Sequence, residues 1–552
     1  MYIIGISAFY HDSSVALFRD NELIFACEEE KFTGIKHDSS FPEKALEYIY
    51  KHYKITSKNL QAVCYYEDPK LKYDRVIQNI KTNWFKSPLY CLRSYLKIRN
   101  NVEQIDKKLK QISPNVFYST HHEAHLYYSF YSSPYETATT LSVDGVGEFD
   151  TMSVGTCDKN GINYVGLSKY PHSLGLYYSA MTSFLGFRPN EGEYKVMGLA
   201  SYGKPDTYIE KVRELIKFEN GQLICNLDVF CWDKTDKIMF NEKLPELLGI
   251  EQRLPEEMLT TTHEDLASSI QKRYEEVLFD VLDYIYVNET NLCLSGGCAY
   301  NGTANGKITT DSQFKNLWIP PAPSDAGSSI GSIIHYLVTV RNVKNKITGN
   351  PYLGPSFGRG QILKAIKKSH YKNFTTDTGL RKHIAKKINE GNVIGWFDGN
   401  IEFGSRALGH RSILANPTLD GMKDRINKVI KKREGFRPFA PMVTKEKQDI
   451  YFDMTDDVPY MNQVVQVKRE YRDILKAVTH VDGSARVQTV YEGSNIHKLL
   501  KEFERVSGYP ILLNTSFNVK DKTMVLTPQD AIDTFYDTDM DILVMGDYVI
   551  YK

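Results

Sequence analysis

The chain has 552 residues, more than one hydrophobic core ordinarily supports, so two domains are expected. Lys plus Arg and Asp plus Glu balance at 68 each, which argues against nucleic acid or an acidic partner, although a basic pocket can sit inside a neutral total. With 42% apolar and 25% charged residues the composition is globular, and no run approaches the roughly 18 apolar residues of a membrane span, so no membrane partner is expected.

All eight cysteines lie before Tyr300, and none forms a C-x-x-C pair, the pattern of reduced, buried thiols in a cytoplasmic protein. At the N-terminus YIIGISAF, VALF and LIFACE, separated by HDSS and RDNE, read as a three-strand meander. The first run lacks a basic leader and is too short for a signal peptide. His11 sits at the first polar corner, followed by Asp12. An imidazole there can take a proton from a hydroxyl; a turn histidine holding backbone groups is the competing reading.

Ser119 or Thr120 is placed to cap a helix that carries His121, His122 and His125. His121 and His125, at i and i+4, share a face, and His122 points elsewhere. Such a pair chelates a metal ion when carboxylates complete the shell, and alone is more often a surface or capping pair. Thr139–Gly166 repeats the strand meander as TTLSVD, TMSVGTC and INYVG, with Asp144 at the corner after its first strand. Two meanders, each followed by helices, predict a two-lobed α/β domain with a cleft.

Helical periodicity covers Asp265–Val287; strand NLCLS, Gly296-Gly297 and a further helix follow. IPPAPSDAGSSIGSIIHYLV repeats that order and puts Asp325 at a loop-to-helix turn. Two His and two Asp suit Fe²⁺, Mn²⁺ or Zn²⁺ with positions left open. The glycines of V-D-G-V-G-E, S-G-G-C-A-Y-N and S-D-A-G-S-S offer backbone N–H groups to a phosphate. None belongs to a G-x-x-x-x-G-K-[ST] loop or a G-x-G-x-x-G fingerprint, so a nucleotide would bind in another geometry.

Asn345–Gly360, rich in Gly, Pro and Asn, reads as a linker between domains at 1–344 and 361–552. Beyond it, helices at Leu363–Lys368 and Gly379–Glu390 alternate with strands VIGWFD, MNQVVQV, YPILLNTSF and ILVMG, a second α/β domain. Arg406, Arg411, Lys431, Lys432, Arg433, Arg437 and Arg486 are interspersed with Gly, Ala, Phe and Pro, unlike a solvated helix face. With Asn514, Ser516 and Asn518 at a strand end, they suggest a polyanion pocket.

These stretches resemble the NodU/CmcH family of O-carbamoyltransferases nearly end to end. The resemblance is carried by G-I-S-A-F-Y-H-D-S-S, E-E-E-K-F-T-G-I-K-H-D-S-S-F-P, H-H-E-A-H, S-V-D-G-V-G-E, E-Y-K-V-M-G-L-A, S-G-G-C-A-Y-N, P-P-A-P-S-D-A-G, E-F-G-S-R-A-L-G-H-R-S-I-L-A, R-P-F-A-P, H-V-D-G-S-A-R-V-Q-T-V and L-N-T-S-F-N. It implies an actin-like, threonylcarbamoyl-transferase-like N-terminal domain and a YrdC-like C-terminal domain. It implies iron held by His121, His125, Asp144 and Asp325. Carbamoyl phosphate and ATP with Mg²⁺ would give carbamoyl-adenylate, whose carbamoyl group passes to a hydroxyl of a sugar or natural product. His11 with Asp12 matches the acceptor base. Lys36, Gly145, Lys195, Gly296, Gly297 and Asn301 match nucleotide contacts of the transfer domain. Arg406, Lys431, Arg437, Arg486, Asn514, Ser516 and Asn518 match phosphate and carbamoyl contacts of the activation domain. Tyr300, where leucine is commoner, and Gly34, where arginine is, depart from the family pattern. The sequence leaves the oligomeric state open, a homodimer among the options. A small-molecule kinase of the actin-like superfold leaves the arginine-rich part without a task, and a tRNA-modification protein conflicts with the neutral charge.

Overall fold

The structure, a computed structural model, describes residues 1–432, 435–454 and 456–552; Arg433 lies outside the described residues. Its contacts divide the chain into two units, Met1–Phe25 with Ser39–Gly349 and Ala26–Asp38 with Asn350–Lys552. Among the described residues no helix is long and apolar enough to cross a membrane.

In the first unit, β1 (Tyr2–Ser7) pairs antiparallel with β2 (Ser14–Arg19) and parallel with β4 (Leu60–Tyr65). With β3 (Glu22–Glu28) and β5 (Val116–Tyr118) they form a sheet in the order β3-β2-β1-β4-β5. A second sheet repeats this order. In it β6 (Ala138–Val143) and β7 (Asp150–Asp158) pair antiparallel, as do β7 and β8 (Gly161–Lys169). After a hairpin of β9 (Ile216–Glu219) and β10 (Gln222–Cys225), β11 (Asn291–Ser295) and β12 (Asn316–Trp318) add parallel strands, giving β12-β11-β6-β7-β8. The meanders read from sequence are therefore a structural duplication: the two sheets share one strand order. β1 and β6 are buried on both faces, which is why they read as continuous apolar or small-residue runs rather than alternating ones.

Three helices matter for the site: α1 (His121–Tyr131), α2 (Thr261–Ile285) and α3 (Asp325–Thr339). Helix α3 packs on β1, β2 and β4 of one sheet, and α1 packs on β6 and β11 of the other and on α3. The close approach depends on glycine. A Cβ on Gly331 of α3 would lie 1.8 Å from the Ala124 carbonyl of α1, and one on Gly5 of β1 would lie 1.9 Å from the Ser329 carbonyl of α3. Helix α2 starts four residues before the sequence signal because Thr260 and His263 cap each other, His263 Nδ1 accepting from the Thr260 amide at 3.1 Å. His263 stands where a Glu or Gln is the usual cue.

The second unit is built on an eight-stranded mixed sheet. Its strands are β13 (His370–Asn373), β14 (Ile394–Phe397), β15 (Arg411–Ala415), β16 (Ala440–Thr444), β20 (Gln488–Val490), β21 (Ile511–Ser516), β22 (Ile542–Met545) and β23 (Tyr548–Tyr551). Their order is β13-β23-β22-β14-β15-β21-β16-β20. A small sheet holds β17 (Phe452–Asp453), β18 (Val465–Val467) and β19 (Ser484–Ala485). Helices Asp377–Asn389 and Asn495–Ser507 pack together and bury Leu380, Ile384, Leu499 and Phe503 against Trp396 and Val544. The strand expected over MNQVVQV shortens to Val465–Val467, and helix Arg359–Ile366 begins inside the stretch read as linker.

Candidate functional site

The Thr120 side chain accepts the Glu123 amide and caps α1, turning His121 and His125 inward. The end of β6 brings Asp144 to them, and the first residue of α3 brings Asp325. Asp144 Oδ2 lies 3.0 Å from His121 Nε2 and 3.1 Å from His125 Nε2, and the two Nε2 atoms are 3.2 Å apart. Asp325 Oδ1 faces the same nitrogens at 3.6 and 3.5 Å. Asp325 is fully buried, and neither of its oxygens has a hydrogen-bond partner. One ligand atom from each of the four residues falls within 4.8 Å of the others.

A buried carboxylate without donors is costly. Two imidazole nitrogens and two carboxylates aimed at one point answer that cost if a divalent transition metal sits among them. The residues present therefore fit a metal. His125 Nδ1 lies 3.2 Å from Ser328 Oγ, which fixes the ring with Nε2 towards the centre. Burial opposes ionisation of Asp144, but His121 and His125 hold its carboxyl well below the usual range. His125 rises to about 9 because Asp144 and Asp325 outweigh burial. His122 is buried too, stays off this centre, and is kept neutral by burial and by His121.

The corner after β1 joins the same place. His11 Nδ1 is 3.0 Å from Asp12 Oδ2, and its Nε2 faces Asp325 Oδ2 at 3.8 Å. Burial works to deprotonate His11, yet Asp325 and Asp12 raise its pKa to about 10. Tyr10 leans on the His11 ring, centroids 4.5 Å apart. Three contributors escaped the sequence reading: Tyr10, Ser328 and Glu148. Buried Glu148 accepts the amides of His121 and Asp68 and so anchors the start of α1. It stands inside V-D-G-V-G-E, where only the glycines drew notice.

The glycine-rich corners converge on Asp144. Its Oδ1 accepts the Gly145 amide at 2.7 Å and the Gly297 amide at 3.3 Å. Gly296 has φ +88° and approaches the Val143 carbonyl so closely that a Cβ would lie 2.2 Å from its oxygen. Asn301 caps the next turn through Ala304 and exchanges hydrogen bonds with Gln271 of α2. Lys195 lies over the Phe187 ring at 5.5 Å, and Lys36 belongs to the Ala26–Asp38 segment of the second unit.

In the second unit strand directions gather the remaining candidates. β15 and β16 both run antiparallel to β21, and β20 runs parallel to β16. The starts of β15, β16 and β20 and the finish of β21 therefore share one end of the sheet. Arg406, Arg437 and Arg486 precede those starts by a few residues, and Ser516 closes β21. Lys431 Nζ donates to the carbonyl and hydroxyl of Ser516 at 2.5 and 3.2 Å, and to Asn518 O and Oδ1 at 3.0 and 2.6 Å. The Asn514 amide ties Ala407 O to Gln488 Oε1, both at 2.9 Å. Glu402 Oε1 accepts the amides of Leu408, His410 and Arg411, bracing the loop that carries Arg406. Glu28 Oε1 accepts the Gly404 amide at 2.7 Å from the other side of that loop.

Arg411 goes the other way. It is fully buried, donates to Asp398, Gly399 and His410 carbonyls and lies 3.6 Å over the Phe397 ring. It is a structural cation, distinct from Arg406 five residues earlier.

Comparison with known proteins agrees over most of the chain. The family model described as carbamoyltransferase N-terminus matches residues 2–334, and that described as carbamoyltransferase C-terminus matches 385–552. An uncharacterized protein of Synechocystis sp. is 37% identical over 600 aligned positions, covering 100% of this chain and 97% of its own. Nodulation protein NolNO of Sinorhizobium fredii is 33% identical, covering 99% and 80%. Nodulation protein NolO of Bradyrhizobium diazoefficiens is 36% identical, covering 78% of each. Among solved structures, T. kodakarensis HypF aligns with 62% of this chain and 48% of its own at 13% identity and a TM-score of 0.34. Carrying both halves of the family in order, the chain belongs to the carbamoyltransferase family and is a transferase.

Proposed function

We propose that the chain makes carbamoyl-adenylate from carbamoyl phosphate and ATP in its second unit and transfers the carbamoyl group to a small-molecule hydroxyl in its first. The observation that carries the reading is the buried His121–His125–Asp144–Asp325 centre, with Asp325 lacking donors, set beside His11. Family membership supplies the transferred group.

In the second unit, water hydrolyses carbamoyl phosphate to carbamate and inorganic phosphate, and a carbamate oxygen then attacks the α-phosphorus of ATP and expels pyrophosphate. Arg406, Arg437 and Arg486, at one end of the sheet, hold the phosphates, because guanidinium forks match phosphate oxygens. Lys431, fixed by Ser516 and Asn518, presents one positive charge at the strand end. ATP enters with Mg²⁺ as its counter-ion.

In the first unit, His121, His125, Asp144 and Asp325 hold a divalent transition metal, with Fe²⁺ the assignment the family resemblance favours. When bound there, such a metal would offset the two carboxylates and would supply Lewis acidity towards a carbamoyl or phosphate oxygen. With the charge of Asp325, the main contribution that raises His11, offset by a metal, His11 would be neutral: Asp12 holds Nδ1–H, and Nε2 takes the acceptor proton as the hydroxyl attacks the carbamoyl carbon and AMP leaves. Gly145 and Gly297 keep backbone at the Asp144 corner, where a phosphate can approach closely. Acceptors of this class are hydroxyls of sugars, polyketides or alkaloids. Incubation with carbamoyl phosphate, ATP and a panel of hydroxylated metabolites tests the reading by mass spectrometry. The result expected is a product heavier by one carbamoyl group that depends on both co-substrates. Product formed equally without ATP would refute it.

A further inference from the structure

The charges of the whole chain cancel, but one stretch is one-sided. From Arg75 to Val102 there is no acidic residue, while Arg75, Lys81, Lys86, Arg93, Lys97 and Arg99 are all cationic. The stretch forms most of a helical hairpin, Pro69–Asn83 followed by Pro88–Ile112, whose arms pack together. The hairpin also exposes large apolar side chains: Phe85 is 96% exposed, Leu89 69%, Leu92 and Leu96 50% each, and Trp84 47%.

These are not the residues that hold the hairpin to the fold. The longer helix buries Cys91, Ile98, Ile105 and Leu109. At 3.6 residues per turn, Leu89, Leu92 and Leu96 make a second stripe roughly 150° away. On the same wheel Arg93 and Lys97 border that stripe on one side; Arg99 on the other is paired with Glu103 at 3.3 Å, and Trp84 and Phe85 stand in the turn at the stripe's end. Contiguous apolar side chains rimmed by charge mark an interaction surface rather than scattered exposure.

The charge decides the partner. A second copy docked by this face would set cations against cations. An anionic lipid surface satisfies the whole pattern: Trp, Phe and Leu enter the headgroup boundary while Lys and Arg extend to lipid phosphates. We propose that this hairpin seats the protein on an anionic membrane surface, lying in the interface without crossing it. This replaces the sequence expectation of no membrane contact and is independent of the reaction proposed above.

The test is co-sedimentation of the full-length protein with phosphatidylcholine vesicles, with and without phosphatidylglycerol, at low and high salt. Two variants accompany it, Phe85→Ser/Leu89→Ser/Leu92→Ser and Arg93→Glu/Lys97→Glu. Binding is expected to anionic vesicles only, weakened by about tenfold or more in either variant and by salt, with far-UV circular dichroism and melting unchanged. No binding to anionic vesicles at low salt, or binding unaltered in both variants, overturns the proposal. A concentration-dependent dimer that both variants abolish, without vesicle binding, overturns it too and gives the face to a second copy.

Discussion

Arg406 and Arg411 share one short motif, and the structure separates their roles enough to predict opposite phenotypes. Arg411→Ala removes a buried guanidinium that donates at 2.5 Å to Asp398 O and at 3.2 Å to Gly399 O and lies over Phe397. Net values for charge-assisted hydrogen bonds, about 1.5–3 kcal/mol each, already include desolvation. Two such bonds give about 3–6 kcal/mol, so a loss of about 4 kcal/mol is expected; Arg411→Met refills volume and recovers about 1–2 kcal/mol of it. For a unit of this size, 4 kcal/mol lowers the melting temperature by about 10 °C. Differential scanning calorimetry reads this in the transition assigned to the second unit. Pyrophosphate release per folded molecule, measured well below that transition, should be retained. Arg406→Ala should do the reverse, leaving melting unchanged and removing pyrophosphate release. If Arg411→Met melts like the parent but needs far more carbamoyl phosphate, Arg411 contacts substrate and the separation is wrong.

Three further outcomes follow from named groups. Protein purified anaerobically should carry one transition metal by elemental analysis and lose it in His121→Ala/His125→Ala; metal content unchanged in that variant would remove the centre from the account. Lys431→Met should abolish pyrophosphate release, and Lys431→Arg should not restore it, because a fork cannot reproduce a point charge held by four acceptors; full activity in the arginine variant would count against the tight site. His480 is lowered from 6.5 to about 4, chiefly by burial and also by Arg486 and Lys423, with Asp482 opposing. Between those pH values the unfolded chain binds the proton and the folded one does not. This stability is complete above pH 6.5, and about 3 kcal/mol is lost as pH falls towards 4. His480→Gln should flatten the acid limb of the melting curve, and an unchanged limb would show that another group controls it.

Much of the first unit was legible because its repeat is written in strand composition. TTLSVD and YIIGISAF are both buried on two faces and followed by polar corners. The four residues of the buried His/Asp cluster stood out by type and position, since α1 spacing and two turn carboxylates are local signals. Their convergence was not local. It depends on α1 and α3 meeting at Gly331 and Ala124, positions that look like ordinary small residues in a helix. The segment Ala26–Asp38 was opaque for a different reason. E-E-E-K reads as a solvated helix start, yet Glu28, Glu29 and Lys31 are buried in the second unit, where Glu28 holds the Gly404 amide. Charge patterning predicts exposure, and burial of paired charges escapes it. Arg411 escaped in the same way. Glycine and alanine around a cation mark a site that excludes solvent, but they do not say whether phosphate or main-chain carbonyls fill the guanidinium's hydrogen bonds.

Activation and transfer are assigned here to different units of the chain. Pyrophosphate release from ATP, measured with carbamoyl phosphate present and no acceptor, tests this division most directly when Arg486→Ala and His11→Ala are run side by side. Arg486→Ala should lose release by a factor of about a hundred or more, as removal of one phosphate-stabilising donor would cause. His11→Ala should keep release and lose only product formation once an acceptor is added. Loss of pyrophosphate release in His11→Ala as severe as in Arg486→Ala would contradict the division.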